Sequence, residues 1–334
     1  MTRLLIKPKK PMSDREIRGI GREVGRIKDI IIIEVPDHAA EQILRNVRKN
    51  VEIAEIDELE PLEKPPDVAP QTERWYYKAV NIDIGWKIST GKDVKIAILD
   101  TGAQASHPYL YGRLLAGWNS VRQNTDWNDI NGHGTAVAGT SLAVAPDSRI
   151  IPVRVSDFED GGAYNSDMAR AIYWAADNGA NIINMSYRSW TSAIIVEAAR
   201  YAVQRNVFIT SSAGNDGVDH GYTSPDYILV VGATGQDGHK TWWSDYGKYI
   251  DVTAPGENIY TSVLNGYDYV NGTSFSAPMT AGVAALMYRD TNLFDLEMRL
   301  RTNDTWNENL GWGIIDAGRV VQPHSPQRFY NELA

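Results

Sequence analysis

The run Ala281-Gly282-Val283-Ala284-Ala285-Leu286-Met287 is apolar nearly all round, so a helix formed there has no face to give to water and must cross a core. That requires enough chain to surround it, and 334 residues with 43% hydrophobic content supply it. Just ahead stands Asn271-Gly272-Thr273-Ser274-Phe275-Ser276-Ala277-Pro278, which presents Ser274 at the helix start among small residues. Small neighbours let the backbone turn tightly and let another molecule reach the hydroxyl. A helix N-terminus also favours negative charge forming beside it. The same stretch equally suits a Ser/Thr cap on a core helix. The choice turns on whether an activating base and acid exist elsewhere.

Residues 1–60 read as a separate small unit. Leu4-Leu5-Ile6 is a strand, and Ser13 with Glu16 three residues on makes a capping-box pattern for a helix over residues 13–23. Residues 24–35 read as a hairpin with Ile30-Ile31-Ile32-Ile33 as its buried half, and residues 38–50 as a second helix. Val51-Glu52-Ile53-Ala54-Glu55-Ile56 alternates as a half-buried strand does. The order β-α-β-β-α-β is the ferredoxin-like, split-βαβ arrangement. Residues 1–50 carry twelve Lys/Arg against seven Asp/Glu, and residues 52–63 then hold six carboxylates. Pro61, Pro65, Pro66 and Pro70 follow, marking residues 63–73 as a stiff, extended linker.

From about Arg74 the pattern changes to strands alternating with longer helices, the mark of an α/β domain with a mainly parallel sheet. Strands are expected over residues 94–99, 150–155, 180–185, 207–211 and 227–232, with helices near 166–178 and 192–206. Chemistry in such sheets collects at the carboxyl ends of strands, and Asp100 stands there. His133 lies in Asn131-Gly132-His133-Gly134-Thr135, between glycines at the opening of a small-residue helix. A serine hydroxyl near neutral pH is a weak nucleophile and needs an adjacent base. Histidine is such a base, and a buried carboxylate fixes its tautomer. Asp100, His133 and Ser274 supply these parts, in one of the three unrelated chain orders known for the triad.

Asp100-Thr101-Gly102, His133-Gly134-Thr135 and Gly272-Thr273-Ser274-Phe275-Ser276-Ala277-Pro278 resemble the three signature blocks of the subtilisin-like serine proteases, the subtilases. Ser211-Ser212-Ala213-Gly214-Asn215-Asp216-Gly217 is similar to the block that carries the family's oxyanion-hole asparagine, which points to Asn215. The resemblance covers roughly residues 75–322 and implies the subtilisin-like α/β fold. It also implies a serine endopeptidase in which Ser274 attacks a peptide carbonyl, His133 shuttles the proton, Asp100 orients His133, and the Asn215 amide and Ser274 N–H hold the oxyanion. Subtilases often carry an N-terminal propeptide of the β-α-β-β-α-β type that assists folding and inhibits the enzyme. Residues 1–62 would be that propeptide, 63–73 a linker cleaved somewhere between Leu62 and Glu73, 74–322 the catalytic domain and 323–334 a tail. The partners implied are a peptide or protein substrate and the chain's own propeptide.

The sequence departs from the family in three places. Gly139-Thr140-Ser141-Leu142-Ala143 runs straight into Val144-Ala145-Pro146, where many subtilases insert a calcium-binding loop. No metal is therefore expected at that site, and no cofactor, with calcium elsewhere left open. Asn184-Met185-Ser186 resembles the start of the substrate-pairing edge strand, but continues Tyr187-Arg188-Ser189-Trp190 where the family has a hydrophobic residue and two glycines. Ser186, Tyr187 and Arg188, with Gly161 and Gly162 on the opposing strand, are the expected substrate-binding residues, an edge holding extended peptide by its backbone. Arg188 and Trp190 either narrow the cleft and favour acidic substrates or point to solvent or a neighbouring loop. Third, the linker is proline-dense where maturation would cut, and proline restricts the backbone on both sides. A permanently attached N-terminal domain, making a non-hydrolytic binding protein, is the alternative.

Other classes are excluded. There is no cysteine, hence no disulfide, thiolate metal site or cysteine nucleophile. A single Asp-Thr-Gly cannot make the paired carboxylates of an aspartic protease, and no His-Glu-x-x-His marks a zinc peptidase. A net charge of -9 argues against nucleic acid, and no run approaches the ~20 apolar residues of a membrane span. The start of the sequence lacks the apolar stretch of about 7–15 residues of an export signal, so a cytoplasmic location is expected.

Overall fold

The computed structural model describes residues 1–62 and 74–322. The linker with its expected cleavage point and the tail at 323–334 lie outside the described residues.

The N-terminal unit follows the expected order: β1 (Thr2–Pro8), α1 (Asp14–Ile20), β2 (Arg22–Ile27), β3 (Ile30–Val35), α2 (Ala40–Val47) and β4 (Val51–Ile56). Its sheet runs β2-β3-β1-β4, antiparallel at every pairing. The capping box of Ser13 and Glu16 forms. Helix α1 stops short of the expected residue 23, because Gly21 leaves the helix extended and Arg22 already pairs with Glu34 in the sheet. Helix α2 likewise ends at Val47 and is entered through a 3-10 turn, Asp37–Ala39. The four consecutive isoleucines have a physical reason. Successive strand residues face opposite sides. Ile31 and Ile33 pack under the unit's own helices with Leu4, Ile6 and Leu44, whereas Ile30 and Ile32 join Leu5 and Ile27 in a second core shared with the rest of the chain.

After β5 (Leu59–Glu60) and two short helices, α3 (Trp75–Ala79) and α4 (Ile82–Gly85), the α/β region begins with β6 (Lys95–Asp100) and β7 (Trp118–Asn119). It continues with α5 (His133–Val144), β8 (Arg149–Arg154), β9 (Ala163–Tyr164), α6 (Asn165–Asp177), β10 (Ile182–Met185), α7 (Ala193–Val203), β11 (Phe208–Ser212) and β12 (Leu229–Thr234). Then follow β13 (Val252–Pro255), β14 (Ile259–Val263), β15 (Gly266–Val270) and α8 (Thr273–Ala285). The main sheet has seven strands in the order β13-β12-β11-β10-β6-β8-β7, and every pairing in it is parallel. Both faces are covered, as a parallel sheet requires: α5 and α8 lie in the core on one side, α6 and α7 in the core on the other. All thirteen residues of α8 are buried, as its all-round apolar sequence demands. No helix among the described residues is long and apolar enough to cross a membrane.

Candidate active site

Asp100 ends β6, fully buried, and its Oδ1 accepts the Thr101 N–H at 2.8 Å. The same Oδ1 lies 2.8 Å from His133 Nδ1. An ionised carboxylate can only accept, so Nδ1 carries the proton and Nε2 is left as the basic nitrogen. Asp100 Oδ2 is buried with no hydrogen-bond partner among the described residues, a cost that native proteins concentrate where it serves a purpose. The glycine after His133 explains how the pair meets. A Cβ on Gly134 would lie 2.1 Å from the Gly102 carbonyl oxygen, so the start of α5 touches the loop after β6 backbone to backbone.

A residue that motif reading missed holds this junction. Asp129 is buried; its Oδ1 accepts the Gly132 N–H at 2.8 Å and the Thr101 hydroxyl at 2.8 Å. Its Oδ2 accepts the Thr135 N–H at 2.8 Å and the Thr135 hydroxyl at 2.6 Å. One carboxylate thus caps α5 and ties it to the end of β6, where a helix N-terminus has unsatisfied N–H groups. The signal available in the sequence was an aspartate at capping distance ahead of the histidine.

Ser274 is the second residue of α8 and 4% exposed. Its carbonyl accepts the Ser186 hydroxyl at 2.8 Å, and its own Oγ lies 3.4 Å from the Ser186 carbonyl. Among the described residues Oγ makes no hydrogen bond to His133, whose ring lies 5.5 Å from that of Phe275, the residue after Ser274. Catalytic hydrogen bonds commonly close only when substrate arrives. Asn215 Oδ1 accepts both the N–H and the hydroxyl of Thr273 at 2.9 Å. That network assigns the amide, with the carbonyl committed to Thr273 and the nitrogen on the other edge.

The tail of the N-terminal unit reaches the residues expected to line the cleft. Leu59 pairs with Tyr164 and Glu60 with Ala163, antiparallel, so β5 is an added strand on β9, just beyond Gly161 and Gly162. Gly161 has φ of +83°, and a Cβ there would lie 2.8 Å from Leu62 Cδ2 and 3.2 Å from Thr101 Cγ2. Leu62 and Thr101, the residue after Asp100, therefore both pack at Gly161. Tyr187 is buried and donates its hydroxyl to the Gly161 carbonyl at 2.7 Å, bracing the two strands. Trp190 is buried too, donating to the Ser212 carbonyl and packed on Tyr249 and Tyr222. Arg188 Nη1 lies 2.9 Å from Asp216 Oδ2, 3.1 Å from Asp245 Oδ2 and 2.9 Å from His220 Nε2. Asp216, His220 and Asp245 are the group of described residues whose ligand atoms, within 4.8 Å of one another, could hold a metal. The Arg188 guanidinium lies against both carboxylates, one positive charge beside two negative ones.

Two more carboxylates had no assignment in the sequence. Glu55 Oε1 accepts the Ser192 hydroxyl at 2.5 Å, and its Oε2 accepts the Ala193 N–H at 3.0 Å. Asp57 accepts the Ser166 N–H at 2.8 Å and hydroxyl at 2.7 Å. Neither α6 nor α7 has a side-chain cap of its own. The N-terminal unit supplies both.

The chain order aspartate, histidine, serine is that of subtilisin, whereas the α/β-hydrolases run serine, acid, histidine. The sequence pattern of the subtilase family matches residues 91–311. A thermophilic serine proteinase of Bacillus sp. (strain AK1) is 34% identical over 254 residues, 71% of this chain and 63% of that protein, so this chain spans less than two thirds of its length. Thermitase of Thermoactinomyces vulgaris is 36% identical over 220 residues, covering 60% of this chain and 77% of thermitase. The epidermin leader peptide processing serine protease of Staphylococcus aureus superposes with a TM-score of 0.80 over 96% of this chain and 99% of its own, at 20% identity, a likeness of fold. The chain belongs to the subtilase family, the subtilisin-like serine peptidases.

Proposed function

We propose that the chain is a serine endopeptidase made as a self-inhibited precursor, with residues 1–62 as its propeptide. His133 Nε2 takes the Ser274 proton as Oγ attacks a peptide carbonyl. The Asn215 amide and the Ser274 N–H receive the oxyanion, a contribution that preorganised donors make without reorganising. The imidazolium, held by Asp100, then protonates the leaving amine, and water releases the acyl group by the same steps in reverse order of roles. The observation that carries this reading is the 2.8 Å contact between His133 Nδ1 and fully buried Asp100, one strand end away from Ser274. The inhibitory role rests on β5, which occupies the edge of β9 as a substrate strand would. We extend the proposal to metals: α5 runs unbroken from His133 to Val144, leaving no loop there for calcium.

A second reading is a binding protein that does not hydrolyse, its cleft closed for good by the N-terminal unit. It draws on the same β5–β9 pairing and on the Ser274 hydroxyl facing Ser186. Intact mass over time, with Ser274→Ala alongside, separates the two. Hydrolysis predicts that the wild type alone loses a piece ending between Leu62 and Glu73. If both proteins stay whole, a fluorophosphonate probe decides: labelling of Ser274 means a live enzyme under lock, and no labelling leaves the binding protein.

A further inference from the structure

Arg188 stands where the chain departs most from its family, and its setting is built. Asp245, fully buried, accepts the Asp216 N–H at 3.0 Å and the Val218 N–H at 3.2 Å and lies 3.1 Å from Arg188 Nη1. This carboxylate anchors the guanidinium from inside. Nη1 lies 3.1 Å from the point a Cβ on Gly214 would occupy, one residue from Asn215. Arg188 also lines a cleft of about 570 Å³ that neither Asp216 nor Asp245 lines.

The tail of the N-terminal unit that walls this cavity is acidic. Glu58 and Glu60 line it together with Arg188, and Glu60 is only 9% exposed. The cationic side chains lining the cavity, among the described residues, are those of Arg3 and Arg188. Arg3 belongs to the N-terminal unit and would leave with it. Arg188 would stay.

We propose that Arg188 is a specificity-determining residue that selects substrates carrying a carboxylate side chain on the N-terminal side of the cleaved bond. The inference rests on the peptidase reading for its meaning, but its test does not depend on turnover. A guanidinium can be anchored by several carboxylates at once and is the side chain suited to planar carboxylate recognition. Replacing a substrate Glu by Gln keeps the shape and removes the charge.

The test scans Glu against Gln through each position before the scissile bond of a peptide, with full-length protein. Two quantities are read: cleavage by the wild type, and binding to Ser274→Ala. Occupancy by the tail lowers both apparent affinities by one factor, so the Glu/Gln ratio survives it. At one position or more the ratio should be about tenfold or greater, the range of a charge-assisted contact. In Arg188→Gly it should fall to near one. Should that variant fold poorly through unbalanced Asp245, Arg188→Gly with Asp245→Asn removes both charges and gives the same reading. A ratio near one throughout in the wild type, or one unchanged without Arg188, overturns the proposal. Binding that discriminates without any cleavage or probe labelling sustains Arg188 and overturns hydrolysis alone.

Discussion

Two attachments in this molecule are made in opposite ways. Helix α8, which carries Ser274, is buried along its whole length and is held by apolar contact with α5 and the sheet. The N-terminal unit is held by an apolar patch of Leu5, Ile27, Ile30 and Ile32, and also by charge. Lys7 reaches Glu197 at 2.7 Å, Lys28 reaches Asp177 at 3.0 Å, and Glu55 and Asp57 cap α7 and α6. Burial of apolar surface involves no titrating group, whereas charged contacts respond to pH and are screened by salt. The second attachment is therefore the one expected to loosen with pH and ionic strength.

The widest test of that difference is Asn215→Ala. Its main effect should fall on chemistry: turnover down about 100–1000-fold, the range measured in subtilisin, a member of the same family. Stability should fall only by the ~1–3 kcal/mol that follows from leaving the Thr273 donors without Oδ1. A larger loss of stability in this variant would mean that the site and the core are one structure and not two.

A smaller effect is expected from the caps. Glu55→Ala and Asp57→Ala each remove a cap worth about 1 kcal/mol. In a Ser274→Ala background, amide exchange at the β5–β9 pairing should then speed up about fivefold for each, with α8 unaffected. The pH sharpens this. Burial pushes the Asp57 carboxyl up to about 6, against two hydrogen bonds from Ser166 that pull it down. The docked state thus holds that proton more tightly than the ordinary carboxyl does. Its contribution to docking is fully present below the ordinary value of 3.8 and is lost as pH rises through about 6. Burial raises Glu55 in the same direction. Exchange at the pairing, corrected for its intrinsic rate, should quicken between pH 5 and 7.5, and the trend should flatten in Asp57→Asn. A hold that tightens with rising pH would contradict this.

The smallest expected effect is that of EDTA. With α5 uninterrupted, melting of the full chain should be unmoved, whereas emptying a well-filled site would remove about 2–3 kcal/mol.

The parts legible in the sequence were those that local pattern governs. The all-round apolar α8, the strand ending at Asp100 and the doubly buried Ile30-Ile31-Ile32-Ile33 each announce themselves through periodicity or its absence. What stayed hidden depends on residues meeting from afar. Glu55 caps a helix that starts well over a hundred residues later, and its own strand reads only as alternating. Asp129 looks like any loop aspartate until Thr101 and Thr135 close on it. Arg188 shows an unusual residue but not the Asp245 behind it. The hairpin of β14 and β15 was missed because Asn265-Gly266 lies among polar and aromatic residues without a clean apolar face.

The pairing of β5 on β9 also sets how the cleft would be emptied. A strand supplied by the same chain meets its edge at an effective concentration in the millimolar range for a short connection. Any free peptide must outcompete that. Cutting the chain after β5 would leave the β5–β9 pairing itself in place, yet it would turn an intramolecular equilibrium into a bimolecular one. Opening would then follow the volume into which the severed piece disperses, so crowded and dilute samples of the same cleaved protein would differ in activity.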